Sequence, residues 1–345
     1  MSAEAFSAQH PFRVSRLVFG STILDSQGSS HEVLRTRLRS ALRRRVIDRL
    51  IPTLIAPVVE PVVQGLSGQG AIDVLTDIAD VVPMRVLSEV LGCDAAAAPW
   101  LAEQAAPVVT SIDLGVASPT QARTARAELS AFAAELLDQP ALDGTVVDVL
   151  RDEVANRTIS REVAVDHIVM LIVAGSATTT AAIANSMITL VEQPGILDAV
   201  AADAIDARDV VTEALRLRPP VRFVPRFAIA DTELAGIPVK KNDIVQLCIS
   251  STNRDAASFD EPDRFEPHRP RPPRPLTFGH GIHGCLGAWL GESEAAVVLR
   301  TVASALQGLP LSLSLDWRAG WTFSRPGRLN VQIGTAVSTA SGGRS

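Results

Sequence analysis

The chain of 345 residues contains no tyrosine, and aromatic residues make up only 4% of it. Proteins that bind single-stranded nucleic acid stack bases on aromatic side chains, so this composition disfavours that class. The chain also lacks an excess of positive charge, because 32 basic and 38 acidic residues leave a net charge of −6. Both properties predict that nucleic acid is not a partner.

Cysteine is scarce, and the chain has only Cys93, Cys248 and Cys285. An odd number of widely separated cysteines does not form a disulfide framework and is typical of a reducing compartment. Residues 1–12 carry neither the basic nor the apolar stretch of a secretion signal. We therefore expect a cytoplasmic protein.

Apolar residues are abundant, since hydrophobic residues make up 47% of the chain and charged residues 20%. Such a chain can bury a large core, and its length allows two domains or one large one. The uncharged stretch 168–191 is long enough to span a bilayer. Its many hydroxyl side chains and its lack of flanking aromatic and basic anchors favour a buried helix and no membrane association.

Helical patterns dominate the first two thirds of the chain. A first helix is expected to begin near Ser30, which serves as its N-cap. Further helices are expected over residues 71–92, 97–138, 160–192, 196–217 and 285–306. The first of these regions is expected as two helices, ended by Gly92, and the second breaks near Ser118. A capping box at Ser160 is expected to begin the long apolar helix.

Short β-like runs follow the helices. They lie at residues 223–230, 237–239 and 244–250, with a turn at Gly236, and further strands are expected over 311–333. Residues 1–30 are expected to be mostly loop. This order predicts a fold that is mainly α with a small β portion, and not an alternating α/β sheet.

Residues 278–287 read Phe-Gly-His-Gly-Ile-His-Gly-Cys-Leu-Gly, and their four glycines allow the backbone to approach a flat, bulky group. Cys285 is expected at the start of a helix, where free N–H groups and the helix dipole stabilise a thiolate, a natural metal ligand. Three interpretations are open. The stretch is a glycine-rich turn with a buried cysteine, a zinc site with His280, His283 and Cys285 that lacks a fourth ligand, or a haem-thiolate site.

This stretch resembles the haem-binding loop of the cytochrome P450 superfamily, Phe-Gly-x-Gly-x-His-x-Cys-x-Gly, and all six fixed positions are present. The resemblance implies that Cys285 is the axial ligand of the iron of haem b. It implies that Phe278 packs on the sulfur side of the haem and that His283 reaches a haem propionate. Gly279 and Gly287 are further cofactor contacts by the same resemblance.

Glu213 and Arg216 lie three residues apart, so they share one face of a helix and can pair. Most such pairs are solvated surface pairs. Their place upstream of residues 265–269 and the cysteine loop resembles the Glu-x-x-Arg motif and the meander of the same family. The resemblance implies that Arg269 joins Glu213 and Arg216 as a third, buried partner with a structural role.

Residues 174–179 read Ala-Gly-Ser-Ala-Thr-Thr within the long apolar helix. Small residues permit close helix packing or the approach of a planar group, and a threonine can bend a helix by bonding to the preceding turn. The stretch resembles the oxygen-binding kink of the family, which implies that Ala174 contacts haem and that Gly175, Ala177 and Thr178 are catalytic positions. Where this chain has Ala177, the family has an acid that relays protons. Water with Thr178, a group on the substrate, or a different reaction would take its place.

His31 and Arg35 lie four residues apart and can clamp a carboxylate from one helix face, although a basic amphipathic helix has the same pattern. They resemble the propionate-binding pair of the family, and Arg226 resembles its third propionate ligand. The same helical region carries Arg35, Arg37, Arg39, Arg43, Arg44, Arg45 and Arg49. That pattern fits a solvated face or, by resemblance, the docking surface of an acidic ferredoxin that is supplied by a ferredoxin reductase.

The resemblance extends from His31 onwards and implies a single haem-binding domain over residues 31–345, after a short segment of residues 1–30. Bacterial members usually place several dozen more residues before this helix. The expectation is therefore a reduced first sheet, an open distal pocket, or a partner that completes it.

The function that the resemblance implies is a bacterial monooxygenase that oxidises a small apolar substrate in secondary metabolism. Ala177 leaves open a haem-thiolate enzyme that uses peroxide or catalyses dehydration or rearrangement. The short front segment leaves open a non-catalytic protein that binds haem or another small molecule.

Overall fold

The computed structural model describes residues 5–11, 13–66, 68–113, 119–140, 142–269, 273–318 and 320–334, without the side chains of Ser30 and Pro119. Its helices are α1 (Val14–Phe19), α2 (Ser29–Leu42), α3 (Arg44–Leu50), α4 (Ala56–Gln64), α5 (Val82–Leu91), α6 (Ala98–Ile112), α7 (Pro119–Asp138), α8 (Val146–Ala155), α9 (Arg161–Glu192), α10 (Ile196–Ala201), α11 (Ala207–Leu217), α12 (Ile249–Thr252) and α13 (Ala288–Leu306). Its strands are β1 (Phe6–Ser7), β2 (Ala71–Asp73), β3 (Phe223–Ala228), β4 (Thr232–Leu234), β5 (Ile237–Val239), β6 (Ile244–Cys248), β7 (Leu311–Trp317) and β8 (Pro326–Ile333). The expected class, mainly α with a small β portion, is confirmed.

The strands of the described residues form three small antiparallel sheets, with the orders β1-β3-β6, β2-β8-β7 and β4-β5. The runs expected after residue 220 and in the tail are confirmed, and β4 is one that the sequence patterns missed. The first sheet presents Arg226 from β3, opposite Val245 of β6. The second sheet supplies a hairpin, β7 and β8, whose connection reaches the cavities described below.

Helix α9 runs through the core and packs against α5, α6, α7, α11 and α13. Its first turn is capped by Ser160, whose side chain accepts a hydrogen bond from the N–H of Val163 at 3.3 Å. A full capping box needs a glutamate or glutamine where this chain has Val163, so the expected box is incomplete. By length and composition α9 could cross a membrane, but 67% of its most apolar window is buried inside the protein, as in a central core helix.

Residues 71–79 do not form the first of the two helices expected over 71–92. Strand β2 pairs with β8, with Ala71 opposite Gln332, so pairing with a remote strand overrides the local helical pattern. A π-helical segment, Leu75–Ala79, then leads into α5. The second expected helix is confirmed, because α5 ends at Gly92, which has a left-handed φ of 89°.

Two other helix boundaries differ from expectation. The region 196–217 holds two helices, α10 and α11, because Asp203 takes a φ of 53° and the Asp206 side chain caps the N–H of Arg208 at 2.9 Å. Helix α2 begins at Ser29 after Gly28, one residue before the expected cap. The break near Ser118 is confirmed by the end of α6 and the start of α7, although residues 114–118 themselves lie outside the described residues.

The described part of residues 1–30 is tied to the rest of the protein. Strand β1 pairs with β3, with Phe6 opposite Ala228. Phe19 and Ile23 are 3% and 4% exposed and belong to the main hydrophobic core. These residues therefore contribute one strand to the first sheet and two side chains to the core.

Candidate functional site

The cysteine loop, residues 276–287, contains two short 3₁₀ turns. Gly279 and Gly281 have φ values of 69° and 71°, in the left-handed region that favours glycine. The backbone N–H of Cys285 donates to the carbonyl of Phe278 at 2.7 Å and so closes the loop. The sequence predicted Cys285 at the start of helix α13. The structure instead places Cys285 in the turn before that helix.

Solvent reaches the side chain of Cys285, although the surrounding protein is dense enough to raise the pKa of its thiol. The backbone N–H of Gly287 and the guanidinium of Arg35 act in the opposite direction and favour the thiolate. Gly287 has an ordinary φ of −87°, and a Cβ placed on it would meet no atom within 4 Å. Neither the backbone conformation nor packing against the described residues requires glycine at position 287, and the space beside it is open to a large group.

Helix α2 presents His31 and Arg35 to this loop, because Leu34 and Leu38 on its neighbouring face are buried in the core. The Arg35 guanidinium donates to the carbonyl of Gly284. His31 is 1% exposed, and among the described residues neither of its ring nitrogens has a hydrogen-bond partner in good geometry. Burial and the charge of Arg35 lower the pKa of His31, and the opposing effects of Glu32 and the Ile23 backbone are smaller.

His283 lies beside His31, with ring centroids 4.9 Å apart. Its Nε2 is buried and has no hydrogen-bond partner among the described residues. Burial, followed by the charges of His31, Arg226, Arg13 and Arg35, lowers the pKa of His283 to about 4. The guanidinium groups of Arg13, Arg35 and Arg226 supply the positive charge, and together with the two imidazoles they form what we call the cationic cluster beside the cysteine loop.

Arg13 is the member of the cationic cluster that the sequence patterns missed. Its Nη1 donates to the carbonyls of Ala8 and Leu24 at 2.8 and 2.6 Å, and its Nε lies 3.2 Å from the carboxylate of Asp25. Arg13 lowers the pKa values of His283 and Arg226, because folding brings its charge close to these two residues, which are far from it in the chain. No local motif marks it.

Arg35 and Arg226, unlike Arg13, have no acidic partner among the described residues. Within the described residues, no carboxylate forms an ion pair with Arg35 or Arg226, and Arg226 donates only to its neighbour's carbonyl, at 2.8 Å. Burial lowers the pKa of both guanidinium groups. Two carboxylates bound here would neutralise the cluster and supply acceptors for the unpaired nitrogens of His31 and His283.

Part of one face of α9 is exposed near the middle of the helix, whereas most of the helix is buried in the core. Ala174 is exposed and Thr178 half-buried, whereas most residues of the helix are buried. The Thr178 hydroxyl donates to the carbonyl of Ala174 at 2.5 Å, the expected bond to the preceding turn. Gly175 instead packs against α5, because a Cβ on it would lie 3.2 Å from Leu87.

Ala177 lines a cavity of about 220 Å³ between α9, α6 and the β7–β8 connection. Apolar side chains of α5 and α6 form part of its wall, among them Met84 and Val109. Its two carboxylates are already engaged. Asp80 lies 3.5 Å from Arg325, and Asp113 accepts the N–H groups of residues 321 and 322 at 2.8 and 2.6 Å.

The expected triad of Glu213, Arg216 and Arg269 is confirmed. Arg216 donates from Nε and Nη2 to the two oxygens of Glu213 at 2.7 and 2.8 Å, and Arg269 donates from Nε at 2.9 Å. Arg216 is fully buried. The triad is therefore structural and does not face the exposed side of α9.

Asn253 connects the triad to the cysteine loop. Its backbone carbonyl accepts from Arg216 at 2.8 Å, and its side-chain oxygen accepts from the N–H of Leu276 at 2.7 Å. Thr277 donates in turn to the carbonyl of Leu215 at 2.9 Å. The loop that carries Cys285 is thus anchored to the buried triad by two side chains that the sequence patterns did not single out.

The zinc interpretation finds no support in the part of the chain that the structure describes. That part contains no group of three or more histidine, cysteine, aspartate or glutamate side chains that could hold a metal ion. His280 is exposed, whereas His283 is half-buried beside His31.

A family model described as Cytochrome P450 matches residues 124–308, more than half of the chain. The chain belongs to the cytochrome P450 family. Cytochrome P450 monooxygenase PikC of Streptomyces venezuelae is 34% identical over 254 residues, 71% of this P450 and 59% of PikC. Erythromycin C-12 hydroxylase of Saccharopolyspora erythraea is 32% identical over 243 residues, 67% of this chain and 60% of that protein.

This P450 spans about three fifths of the length of the curated relatives that it matches. Solved structures match its fold over more of the chain. The crystal structure of CalO2 has a TM-score of 0.85 at 26% identity and covers 93% of this chain and 82% of that one. CYP109B1 from Bacillus subtilis has a TM-score of 0.81 at 27% identity and covers 95% and 88%.

The family implies a haem cofactor, and the residues of this P450 fit one. The unpaired imidazoles of His31 and His283 suit the two propionates of haem, as do the guanidiniums of Arg35 and Arg226. Cys285 offers a thiol that solvent reaches. The open space beside Gly287 and the exposed Ala174 suit a flat ring that lies close to the backbone.

Proposed function

We propose that this P450 binds haem b through Cys285 and oxidises a small apolar substrate as a haem-thiolate monooxygenase. The observation that carries the proposal is the placement of an accessible thiol beside the cationic cluster, in which Arg35 and Arg226 have no carboxylate partner among the described residues. Two relatives are named a hydroxylase and a monooxygenase, which supports the same reaction class. We assign this oxidation to bacterial secondary metabolism and to the cytoplasm, and the free cysteines are compatible with a reducing compartment.

In this proposal the Cys285 sulfur ligates the iron, and His31, Arg35, Arg226 and His283 bind the propionates. Phe278, Gly279, Gly287 and Ala174 would hold the haem ring. When bound through a thiolate, haem supplies the activation of oxygen and the oxidation of a C–H bond. The protein holds the thiolate through the Gly287 N–H and Arg35 and excludes water with the apolar walls of α5 and α6.

Thr178 is one of the hydroxyl side chains of α9 that can handle a proton. Its hydrogen is donated to the Ala174 carbonyl, so the free lone pairs of its oxygen can accept a hydrogen bond from water. The Ala177 side chain has no acidic proton to donate. The Asp80 carboxylate is paired with Arg325, and the Asp113 carboxylate accepts a backbone N–H. Proton supply therefore rests on water ordered by Thr178 or on a group of the substrate.

Ala177 also favours a second candidate function, a haem-thiolate enzyme driven by peroxide or one that catalyses dehydration or rearrangement. Peroxide brings its own protons, and rearrangements do not consume oxygen, so neither reaction needs an acid at this position. The variant Ala177→Glu separates the candidates. If proton supply limits a monooxygenase, product formation driven by NAD(P)H should rise, whereas peroxide-driven turnover should not.

The basic surface, defined as Arg37, Arg39, Arg43, Arg44, Arg45 and Arg49, is exposed along α2, α3 and the residue between them. Two of its members have acidic partners, since Arg37 lies 3.3 Å from Glu153 and Arg44 lies 3.5 Å from Asp48. Arg35 of the same region reaches the cysteine loop, so this surface adjoins the thiolate side of the site. We assign it to a ferredoxin with an acidic surface, reduced by a ferredoxin reductase. The double variant Arg39→Glu and Arg45→Glu, which reverses two charges, should slow reduction by such a ferredoxin. Raised salt should slow reduction of the unmodified protein in the same way.

The decisive experiment is the absorption spectrum of the purified ferrous protein with carbon monoxide. A thiolate ligand at Cys285 should give a strongly red-shifted Soret band, and Cys285→Ser should abolish it. Cys248→Ser is the matched control, because Cys248 is the last residue of β6 and not part of the cysteine loop, and this variant should keep the band. An unchanged band in Cys285→Ser, or no haem uptake by the unmodified chain, would overturn the proposal.

A further inference from the structure

A second cavity, of about 270 Å³, lies between the end of α11 and the β7–β8 connection. Four arginines line it, and none of its lining residues within the described chain is acidic. The arginine cavity is defined by Arg218, Arg222, Arg318 and Arg325. Such a concentration of one charge around a concave space is the usual environment of a bound anion.

Two of these arginines already have carboxylate partners. Arg218 lies 2.6 Å from Glu192, and Arg325 lies 3.5 Å from Asp80. The other two have none within the described residues. Arg222 donates to backbone carbonyls, that of Phe323 at 3.2 Å among them, and Arg318 donates to the hydroxyl of Thr110 at 3.1 Å.

Two donors of the arginine cavity are buried and unused. The Nε atoms of Arg222 and Arg325 have no hydrogen-bond partner among the described residues. A buried donor of a charged group that lacks a partner is costly, and a carboxylate or phosphate oxygen is the acceptor that best satisfies it. The arginine cavity thus has two positive charges without counter-ions and two N–H groups without acceptors.

The walls of the arginine cavity are held in place by backbone pairing. Val221 forms a β-bridge with Phe323, and the N–H of Ser324 donates to the Pro220 carbonyl at 2.9 Å. The backbone N–H of Arg222 donates to the Thr322 carbonyl at 2.8 Å. The arginines therefore stand on a fixed scaffold, as a recognition site requires.

The arginine cavity adjoins the cavity at Ala177, because Arg318, Phe323 and Arg325 line both. The walls of the Ala177 cavity include apolar side chains such as Met84 and Val109. A molecule that spans the two spaces would meet apolar walls near α9 and arginines at its other end.

We propose that the substrate carries an anionic group, a carboxylate or a phosphate, that the arginine cavity binds while its apolar part lies at Ala177. This inference rests on the proposed function, since it names the substrate class of the same site. Arg222 and Arg318 are the specificity-determining residues, because each contributes a charge that no carboxylate of the described protein neutralises.

The test is calorimetric titration of the haem-loaded full chain with three probes of equal chain length, namely decanoate, decyl phosphate and 1-decanol. At least one anion should bind roughly tenfold or more tightly than the alcohol, since a hydrogen bond to a charged group contributes that much. The tighter of the two anions identifies whether a carboxylate or a phosphate is preferred. Equal affinities for all three probes would overturn the inference.

Variants make the test specific. Arg318→Gln should weaken binding of the preferred anion roughly 10- to 100-fold and leave decanol binding unchanged. The matched control is Arg328→Gln, which removes an exposed charge from β8 of the same hairpin outside the cavity and should change neither. Arg222→Lys keeps the charge and should retain more anion binding than Arg222→Gln, which removes it. Anion binding that survives both Arg318→Gln and Arg222→Gln would refute the assignment. The carbon monoxide spectrum of the same preparation tests the proposed function separately, so failure of one is distinguishable from failure of the other.

Discussion

Replacing Glu213 by glutamine should destabilise the protein far more than a change at an exposed ion pair. The Glu213 carboxylate accepts four hydrogen bonds, two from Arg216, one from Arg269 and one from the backbone N–H of Glu266, all between 2.7 and 2.9 Å. Glutamine keeps the shape but leaves two buried guanidinium groups without a counter-ion. Removing one partner of a buried pair costs about 3–5 kcal/mol, a large part of the roughly 5–15 kcal/mol that stabilises a domain.

The free energy of unfolding should be measured by urea denaturation, followed by circular dichroism. The matched control is Glu261→Gln, because Glu261 pairs with Arg264 at 2.8 Å while its side chain is 70% exposed. Loss of that pair should cost about 0–1 kcal/mol. A loss of less than about 1 kcal/mol in Glu213→Gln would refute the reasoning. Because Asn253 joins Arg216 to the cysteine loop, the same variant should also hold less haem in the thiolate-ligated form.

Three further predictions concern the haem site. The pKa of His283 is about 4 in the folded protein and 6.5 ordinarily. Between pH 4 and pH 6.5 the His283 imidazole is therefore protonated in the unfolded chain but not in the folded protein. The urea midpoint of the haem-free chain should therefore fall as the pH drops from 6.5 to 4, and His283→Gln should flatten this slope. Gly287→Leu should abolish haem uptake, measured as Soret absorbance, without lowering the Tm of the haem-free chain, because its side chain meets open space. Arg226→Gln should speed haem loss to apomyoglobin roughly tenfold, because one charged hydrogen bond is lost.

Local signals predicted the parts of this fold that depend on neighbouring residues. Glycine at position 92 ends α5, Ser160 caps α9, and the spacing of Glu213 and Arg216 places both on one helix face. The family pattern of the cysteine loop located Cys285 and, through it, the partners on α2 and β3. These features need no knowledge of remote contacts.

Features that depend on remote contacts were not predictable in the same way. Arg13 joins the cationic cluster only because the first sheet and the Asp25 turn fold against the cysteine loop. Asn253 bridges two segments that lie on either side of it in the chain. Residues 71–73 carry a helical pattern but form a strand, because β8 offers a pairing edge. In each case the deciding partner is distant in sequence and carries no motif.

Ala177 and the arginine cavity belong to one electrostatic arrangement. The cavity at Ala177 already holds Asp80, and Arg325, which neutralises it, also lines the arginine cavity. A carboxylate at position 177 would add a negative charge to this wall and compete with a bound anion for Arg318 and Arg325. Alanine leaves Arg318 and Arg325 free to bind the anionic group of the ligand. Ala177→Glu should therefore weaken decanoate binding and leave decanol binding unchanged in the same titration. Equal effects on both probes would show that a side chain at position 177 acts by its bulk alone.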